Sequence, residues 1–450
     1  MSVVNNVNDT IVAIATASGS AGIGIVRLSG PRCLEIANKI IGFSPAPRHA
    51  TFTSFKYHDG SLIDDGIAIY YANPNSYTGE DVFELQAHGG SAVLQLIIET
   101  CLYLGARHAE PGEFTKRAFL NNKIDLAQAE AVADVISAST VEAARSASLS
   151  LSGEFSKLIQ SLLESLVSLR MYIEACLDFP EEDIDFITLG SVSEKLAILK
   201  SKVEKLFLQA QQGNILREGI HVVLVGQPNV GKSSLLNYLA GEDIAIVTNI
   251  AGTTRDSIRT LIQFNGIPIH VIDTAGLRDT DDPVELEGIS RTWKAIHSSN
   301  IALIILDDYL GITDQEEKII ELFPSTITKV WVHNKIDKTN SVPKIDISGS
   351  EIHVYISALT GEGISLLKDY ILKASGWQSY GEGLFMARTR HIDALKSVCN
   401  ALASAEEQIG SPELVAEELR QCQYHLGTIT GEFTSDELLG EIFSKFCIGK

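Results

Sequence analysis

Gly226-Gln-Pro-Asn-Val-Gly-Lys-Ser-Ser234 lies in mid-chain, after the apolar run His221-Val-Val-Leu-Val225 and before the helix-like segment Ser234-Leu-Leu-Asn-Tyr-Leu239. A G-x-x-x-x-G-K-[ST] pattern between a strand and a helix is a phosphate-binding loop with a mechanism attached. Gly226 and Gly231 let the backbone curl so that several N–H groups and a helix N-terminus face one phosphate chain. Lys232 adds a point charge between the terminal phosphates, and the Ser233 hydroxyl is placed to ligate Mg²⁺. The bland alternative is a glycine-containing strand–helix turn with a chance lysine, and it weakens with each element that follows in order.

Three such elements follow. Gly252-Thr-Thr-Arg-Asp256 lies in a polar loop, where Thr254 can complete Mg²⁺ coordination and sense the last phosphate. Ile269-His-Val-Ile-Asp273 is a buried-strand pattern running into Asp273-Thr-Ala-Gly276, so Asp273 can hold the Mg²⁺ shell and the Gly276 amide can approach the γ-phosphate. Val330-Trp-Val-His-Asn-Lys-Ile-Asp337 is another strand ending in Asn-Lys-x-Asp. Asp337 can accept hydrogen bonds from N1–H and the exocyclic amine of guanine, which adenine cannot offer, and a site built to pair them rejects the analogue strongly. Ser357-Ala-Leu359, after the strand His353-Val-Tyr-Ile356, supports the base. The order of the elements makes the nucleotide GTP.

The position that holds a water-orienting glutamine in Ras-like sites is Leu277 here, which can neither donate nor accept. Hydrolysis must therefore take its water-positioning group and positive charge from elsewhere. Glu285, in Asp281-Asp-Pro-Val-Glu-Leu-Glu287, can orient water. From position alone it reads first as a solvated acid at a helix start, which the helix dipole favours.

At 450 residues and roughly 150 residues per domain, about three domains are expected. With 45% apolar and 21% charged residues the composition is that of a soluble globular protein. No run approaches the roughly 20 apolar residues of a membrane span. The opening Met1-Ser-Val-Val-Asn-Asn-Val-Asn-Asp-Thr10 lacks the basic and apolar regions of a secretory signal. Cysteines at 33, 101, 176, 399, 422 and 447 form no C-x-x-C pair and read as reduced thiols in a cytoplasmic protein. The net charge of −21 repels phosphate backbones, so any RNA must be held mainly through a partner or a local patch.

Up to about residue 119 the chain shows short β-like runs at Thr10-Ile-Val-Ala-Ile14, Gly24-Ile-Val-Arg-Leu28, Ile67-Ala-Ile-Tyr-Tyr71 and Val82-Phe-Glu-Leu-Gln86. Turn clusters and an apolar helical stretch from Ala92 to Leu104 separate them, the pattern of a mixed α/β domain. Gly19-Ser-Ala-Gly-Ile-Gly24 has the wrong glycine order for a dinucleotide fingerprint. From about Asp125 the pattern becomes long helices rich in Ala, Leu, Ser and Glu, broken at Asp178-Phe-Pro-Glu-Glu-Asp-Ile-Asp185. After Ser375-Gly-Trp377 helical periodicity resumes from Arg388 to the end. The two helical parts are expected to pack on each other with the GTPase inserted between them. The alternative is a chain of four independent units.

The chain resembles the MnmE (TrmE) family of tRNA-modification GTPases along essentially its whole length. Carrying that resemblance are Pro74-Asn-Ser-Tyr-Thr-Gly-Glu-Asp81 with Leu85-Gln-Ala-His-Gly-Gly90, Pro111-Gly-Glu-Phe-Thr-Lys-Arg-Ala-Phe-Leu-Asn121 and Asp125-Leu-Ala-Gln-Ala-Glu130. Ala245-Ile-Val-Thr-Asn-Ile-Ala-Gly-Thr-Thr-Arg-Asp256, Ile429-Thr-Gly-Glu-Phe-Thr-Ser-Asp436 and Phe446-Cys-Ile-Gly-Lys450 extend it. The fold it implies is an α/β and α multidomain chain. Residues 1–119 form an α/β folate-binding and dimerisation domain, 120–215 and 378–450 the two parts of a helical domain, and 216–377 an inserted P-loop, Ras-like GTPase domain.

The resemblance implies a homodimeric GTPase that works with an FAD-containing MnmG-type partner in a heterotetramer and meets tRNA mainly through that partner. Together they modify C5 of the wobble uridine of certain tRNAs, adding a carboxymethylaminomethyl or aminomethyl group. The one-carbon unit comes from 5-formyl- or 5,10-methylene-tetrahydrofolate, and FAD enters only through the partner. Mapped onto matching positions, the folate contacts are Arg27, Glu84, Lys123 and Lys450, which composition alone reads as surface ion pairs. Such enzymes use K⁺ where others use an arginine finger, with ligands matching Asn229, Thr248, Ile250 and Thr253. Neutral oxygens around the ion leave its charge directed at the phosphates. Glu285 matches the family's water-orienting glutamate, and pairing of two GTPase domains completes the site. GTP contacts fall on Asn229, Val230, Gly231, Lys232, Ser233 and Ser234, on Thr248, Asn249, Ile250, Ala251, Gly252, Thr253 and Thr254, and on Asp273, Thr274, Ala275 and Gly276. The base is met by Asn334, Lys335, Asp337, Ser357, Ala358 and Leu359; Mg²⁺ falls to Ser233 and Thr254. Cys447 fits a prenylation signal poorly and is read as either a catalytic or redox thiol or a buried structural one. The rival function is a GTP-switched ribosome-assembly factor without folate chemistry, which a basic RNA-binding module would favour.

Overall fold

The computed structural model describes residues 9–178, 189–242, 259–273, 296–297, 299–313, 323–349, 351–378, 383–433 and 435–449. The chain divides into two compact units: one holds Met1–Ala133, Leu151–Val192 and Ser404–Lys450, the other Asp134–Ser150 and Ser193–Ala403.

The first unit is built on a six-stranded sheet of order β3-β4-β5-β2-β1-β6. Its strands are β1 (Ile11–Ile14), β2 (Ala21–Ser29), β3 (Thr51–Lys56), β4 (Leu62–Tyr71), β5 (Val82–Gly89) and β6 (Arg107–His108). All pairs are antiparallel except β1 with β6. Because side chains alternate across a strand, Val12, Val26, Leu28, Ala68, Phe83 and Leu85 share one face. There they bury against Ile36 and Ile40 of α1 (Cys33–Ile41) and Leu94 and Ile97 of α2 (Ser91–Tyr103). On the opposite face Ile11 and Ala13 are covered by Phe114 of α3 (Glu113–Leu120). Further along that face Phe52 and its register partner Ile67 are 75% and 38% exposed.

The helical part of this unit follows directly. Asp125 and Gln128 cap the start of α4 (Leu126–Ser137) reciprocally: Gln128 N donates to Asp125 Oδ1 at 2.8 Å and Asp125 N to Gln128 Oε1 at 3.1 Å. That exchange satisfies amides the first helical turn leaves open. Leu126 and Ala129 then pack against Leu439, Ile442 and Phe443 of α13 (Asp436–Ser444) and against Phe446. Phe155, Ile159, Leu162, Leu166, Leu169 and Ile173 form the buried stripe of α6 (Glu154–Asp178). It meets the stripe Val415, Leu419, Cys422, Leu426 and Ile429 of α12 (Pro412–Thr430). Three- and four-residue spacing on both helices makes each stripe one face, and each such side chain contributes about 1.5–3 kcal/mol on burial. Segments on either side of the GTPase stretch thus share a core.

The second unit holds a seven-stranded sheet of order β12-β13-β11-β10-β7-β9-β8. β7 (Ile220–Val225), β9 (Ile267–Asp273), β10 (Ile301–Asp307), β11 (Thr328–Asn334) and β13 (Glu351–Tyr355) run parallel. The edges β8 (Arg259–Phe264) and β12 (Lys344–Ser348) are antiparallel. The core of this unit takes in Val222, Leu224, Ile269, Leu303, Val330 and Val354 from the strands. Also within it are Leu235 of α8 (Lys232–Glu242), Leu367 of α10 (Ile364–Ala374), and Ala143 and Ala147 of α5 (Val141–Leu151). The short α9 (Ile336–Thr339) follows β11.

Chain entry to and exit from this sheet are tied together. Arg217, near the end of α7 (Leu189–Glu218), donates through Nε to Asp134 Oδ1 at 3.0 Å. Arg388, just before α11 (Thr389–Glu407), donates through Nη2 to the same oxygen at 2.7 Å. Gln212 of α7 donates to Gly376 O at 3.0 Å and accepts from Gln378 N at 2.9 Å. β3, β8, β10, β12, α1 and α9 have no counterpart in the sequence reading, whereas β1, β2, β4, β5, β7, β9, β11, β13 and α2 fall within a few residues of it. The glycine cluster at residues 19–24 runs into β2, whose register shifts between Ala21 and Gly24.

Candidate functional site

The loop between β7 and α8 lies at the C-terminal end of the parallel strands, where open α/β sheets bind ligands. Gly231 has φ +101°, and a Cβ there would come 2.2 Å from Asn334 Nδ2, so only glycine fits. Asn229 is also left-handed, at φ +68°, with its side chain exposed. Its carbonyl accepts from Lys335 Nζ at 2.6 Å. Lys232 opens α8 and donates through Nζ to the carbonyls of Gly226 and Gln227, at 2.7 and 2.8 Å. Ser233 and Ser234 are exposed in the first turn, while Val230 is buried beneath the loop.

Asn334 is 2% exposed and joins two loops. Its Nδ2 donates to Val230 O at 2.8 Å, and its Oδ1 accepts from Ala358 N at 2.9 Å. Lys335, with φ +70°, also pairs through Nζ with Asp307 Oδ2 at 2.7 Å. That bond holds the Asp307 carboxyl below its usual range. Ser357, fully buried, donates to Asp337 Oδ1 at 2.6 Å, which aims the carboxylate. Leu359 is 80% exposed at the edge of this group. Asn229, Val230, Gly231, Lys232, Asn334, Lys335, Asp337, Ser357 and Ala358 therefore form one connected constellation.

Asp307 is absent from the sequence reading, although it ends an apolar strand as Asp273 does. Gln227 is a second addition, donating to Thr313 Oγ1 at 2.9 Å. Asp273 ends β9; its side chain lies outside the described residues. So do Thr248, Asn249, Ile250, Ala251, Gly252, Thr253, Thr254, Thr274, Ala275, Gly276, Glu285 and Lys450.

A second cluster forms in the first unit. Arg27 and Glu84 face each other across β2 and β5, with Arg27 Nε and Nη2 at 2.9 and 2.8 Å from Glu84 Oε1. The guanidinium carbon lies 5.8 Å from the ring centre of Tyr77 and 5.9 Å from that of Phe114, within cation–π reach. Lys123 is exposed and donates to Pro74 O at 3.1 Å, at the far end of the loop that carries Tyr77. The C-terminal tail reaches the same domain. Gly449, at φ +97°, lies so close to β1 that a Cβ would come 2.2 Å from Ile14 O. Cys447 accepts through its carbonyl from Gly112 N at 3.4 Å. The Cys447 side chain is exposed, which removes the buried structural reading because its neighbours Phe446 and Gly449 take the buried positions of the tail. Among the described residues no group of three or more His, Cys, Asp or Glu side chains could hold a metal, and no helix is long and apolar enough to cross a membrane.

The family model of the GTP-binding protein TrmE N-terminus matches residues 10–123, and that of the MnmE helical domain matches residues 126–447. The tRNA modification GTPase MnmE of Nitrosomonas europaea is 53% identical over 448 residues, covering 98% of this chain and 99% of its own. That of Thiobacillus denitrificans is 54% identical over 442 residues, covering 98% of each. A crystal structure of Aquifex aeolicus Era bound to GDP and aluminium fluoride is 26% identical, spanning 40% of this chain and 66% of that one. The TM-score between the two is 0.28. Half-identity along nearly the full length of both chains, together with both family models, places this chain in the MnmE family of tRNA modification GTPases.

Proposed function

We propose that the chain hydrolyses GTP in a K⁺-dependent reaction and, with an FAD-containing MnmG-type partner, modifies C5 of the wobble uridine of certain tRNAs using a folate one-carbon unit. The observation that carries the nucleotide half is the Asn334 bridge, with Asp337 aimed by Ser357. One buried amide locks the phosphate loop to the base loop, so phosphates and guanine are read as a single ligand. Lys232 exchanges its two carbonyl partners for phosphate oxygens, a charge-assisted and therefore stronger bond. Ser233, at the start of α8, and Thr254 supply hydroxyl oxygens to Mg²⁺, a ligand type that suits this hard cation.

Leu277 leaves the site without the usual water-orienting amide, and Glu285 is assigned that role. Asn229 offers a neutral amide oxygen from a backbone pinned by Lys335, and Thr248, Ile250 and Thr253 complete the K⁺ ligand set. Bound K⁺ supplies the positive charge that stabilises the transferring phosphoryl group. Hydrolysis measured in KCl is expected to exceed that in NaCl at equal ionic strength by tenfold or more. Equal rates would remove the K⁺ assignment while leaving GTP binding in place.

Arg27 and Glu84 fit a reduced folate through the complementary charges they present on one sheet face, and Lys123 and Lys450 offer cations to its glutamate tail. The folate, when bound, supplies the one-carbon unit. Phe52 and Ile67, register partners exposed on the same sheet face as this pair, support a homodimer formed through the N-terminal sheet. Mass spectrometry of tRNA nucleosides after gene deletion tests the whole reading. Loss of the wobble modification is expected, and an unchanged nucleoside profile would refute it.

A further inference from the structure

Loop 74–81 is fastened to the sheet and to α3 just after Tyr77. Thr78 Oγ1 and Ser29 Oγ lie 2.7 Å apart, both residues fully buried, and Thr78 O accepts from Asn121 Nδ2 at 2.7 Å. Glu80 accepts from Ser29 Oγ at 2.7 Å and from Arg117 Nη1 at 3.0 Å. Arg117 is in turn held by Glu113 at 2.9 Å and Asp9 at 2.6 Å. Tyr77 itself is tied at its tip, its hydroxyl 2.8 Å from Thr115 Oγ1. Yet the residue keeps 36% of its surface exposed, next to the Arg27–Glu84 pair.

A loop braced this heavily around one part-exposed aromatic ring does more than close a turn. The core beside Arg27 is already filled by Phe114, fully buried beneath it. A rigid aromatic ring next to a paired cation and carboxylate is the arrangement that takes a flat heteroaromatic ligand. The charges meet its polar edge, and with Arg27 over one face of the tyrosine ring the other face is the one to meet the ligand's π face. We propose that Tyr77 is a ring-binding residue of the Arg27–Glu84 site, giving a stacking surface to the pterin of a reduced folate, and that Glu80 and Arg117 position it. This inference rests on the folate reading of that site.

The test is equilibrium binding of 5-formyl-tetrahydrofolate to the full-length protein, with melting temperature as a check on folding. Y77F keeps the ring and is expected to bind within about twofold of the parent. Y77L removes it and is expected to bind tenfold or more weakly, the scale of one base–aromatic stack. If the parent protein fails to bind, the folate reading of Arg27 and Glu84 falls first. If the parent binds and a normally melting Y77L binds equally well, Tyr77 has no such role and the site assignment survives. Should Y77L fail to fold, Y77W replaces it: bound ligand is expected to quench the added indole fluorescence, and an indole untouched by saturating ligand overturns the proposal.

Discussion

At the scale of single residues, the sharpest dependence of function on one atom pair is at Asp337. Its Oδ1 accepts from Ser357 Oγ at 2.6 Å, so the carboxylate is oriented before any ligand arrives. In the proposed site guanine would present two donors to it, N1–H and the 2-amino group, and both need an acceptor. Asp337→Asn would set an amide N–H₂ against the 2-amino group, leaving donors facing each other and desolvated. Xanthine carries a carbonyl at that position, which the new amide can serve. GTP hydrolysis by D337N is therefore expected to fall at least about a hundredfold, with recovered turnover on xanthosine triphosphate. Parallel steady-state assays with the two nucleotides check this, and an unaltered preference for GTP would mean Asp337 does not read the base.

At the scale of elements, legibility followed what each segment is built against. Strands β7, β9, β11 and β13 are short apolar runs that hand over to polar ends, and so could be placed from sequence. β10 is as fully buried, but no recognisable motif follows its Asp307, and its partner Lys335 is 28 residues away. β3 lies at the sheet edge with Phe52 exposed, so the alternation that marks a half-buried strand is weak there. α1 buries Cys33, Ile36, Ala37, Ile40 and Ile41, a helical pattern present in the sequence but short. The contacts that position functional loops were the least legible, because they join residues far apart in the chain. Arg388 and Asp134 are separated by 254 positions.

That last pair carries its own consequence. Asp134 is 6% exposed and is the common partner of Arg217 and Arg388. Its removal would take a shared carboxylate from two partly buried guanidinium groups, of which Arg217 keeps its pair with Glu218. Asp134→Ala is expected to cost about 1–3 kcal/mol, read as a lowered melting temperature or denaturant midpoint of the unit containing the sheet. D134N should lose less, since its amide oxygen still accepts. A second element-level effect is acid sensitivity around α3. Burial alone would raise the Glu113 and Asp9 carboxyls, but the bonds from Arg107 and Arg117 outweigh it and hold both below their ordinary values of 4.5 and 3.8. A carboxyl depressed by folding adds stability above its unfolded value, and that stability is lost as pH falls through the folded one. Protection of the α3 amides against hydrogen exchange should hold down to about pH 5 and decline below about pH 4. Arg117→Met should lower protection at neutral pH and flatten its decline in acid.

At the scale of the whole molecule, charge decides how the chain would meet the tRNA of the proposed reaction. A formal charge of −21 opposes a polyanion at every approach longer than a Debye length, about 8 Å at physiological salt. Some of the arginines that might have offset it are engaged: Arg27, Arg107, Arg117, Arg217, Arg388 and Arg420 each face a carboxylate within the chain. Tight binding through released counterions needs several free cations on one face. The protein alone is therefore expected to retain tRNA weakly, with a dissociation constant in the micromolar range or above at physiological salt, the scale of non-specific contacts. If the proposed MnmG-type partner supplies the positive surface, adding it should tighten retention by at least about tenfold. Filter binding or electrophoretic shift with labelled tRNA, run with and without the partner across a salt series, measures both terms. Nanomolar binding by the isolated chain, with a steep fall in affinity as salt rises, would show instead that it owns a basic surface of its own.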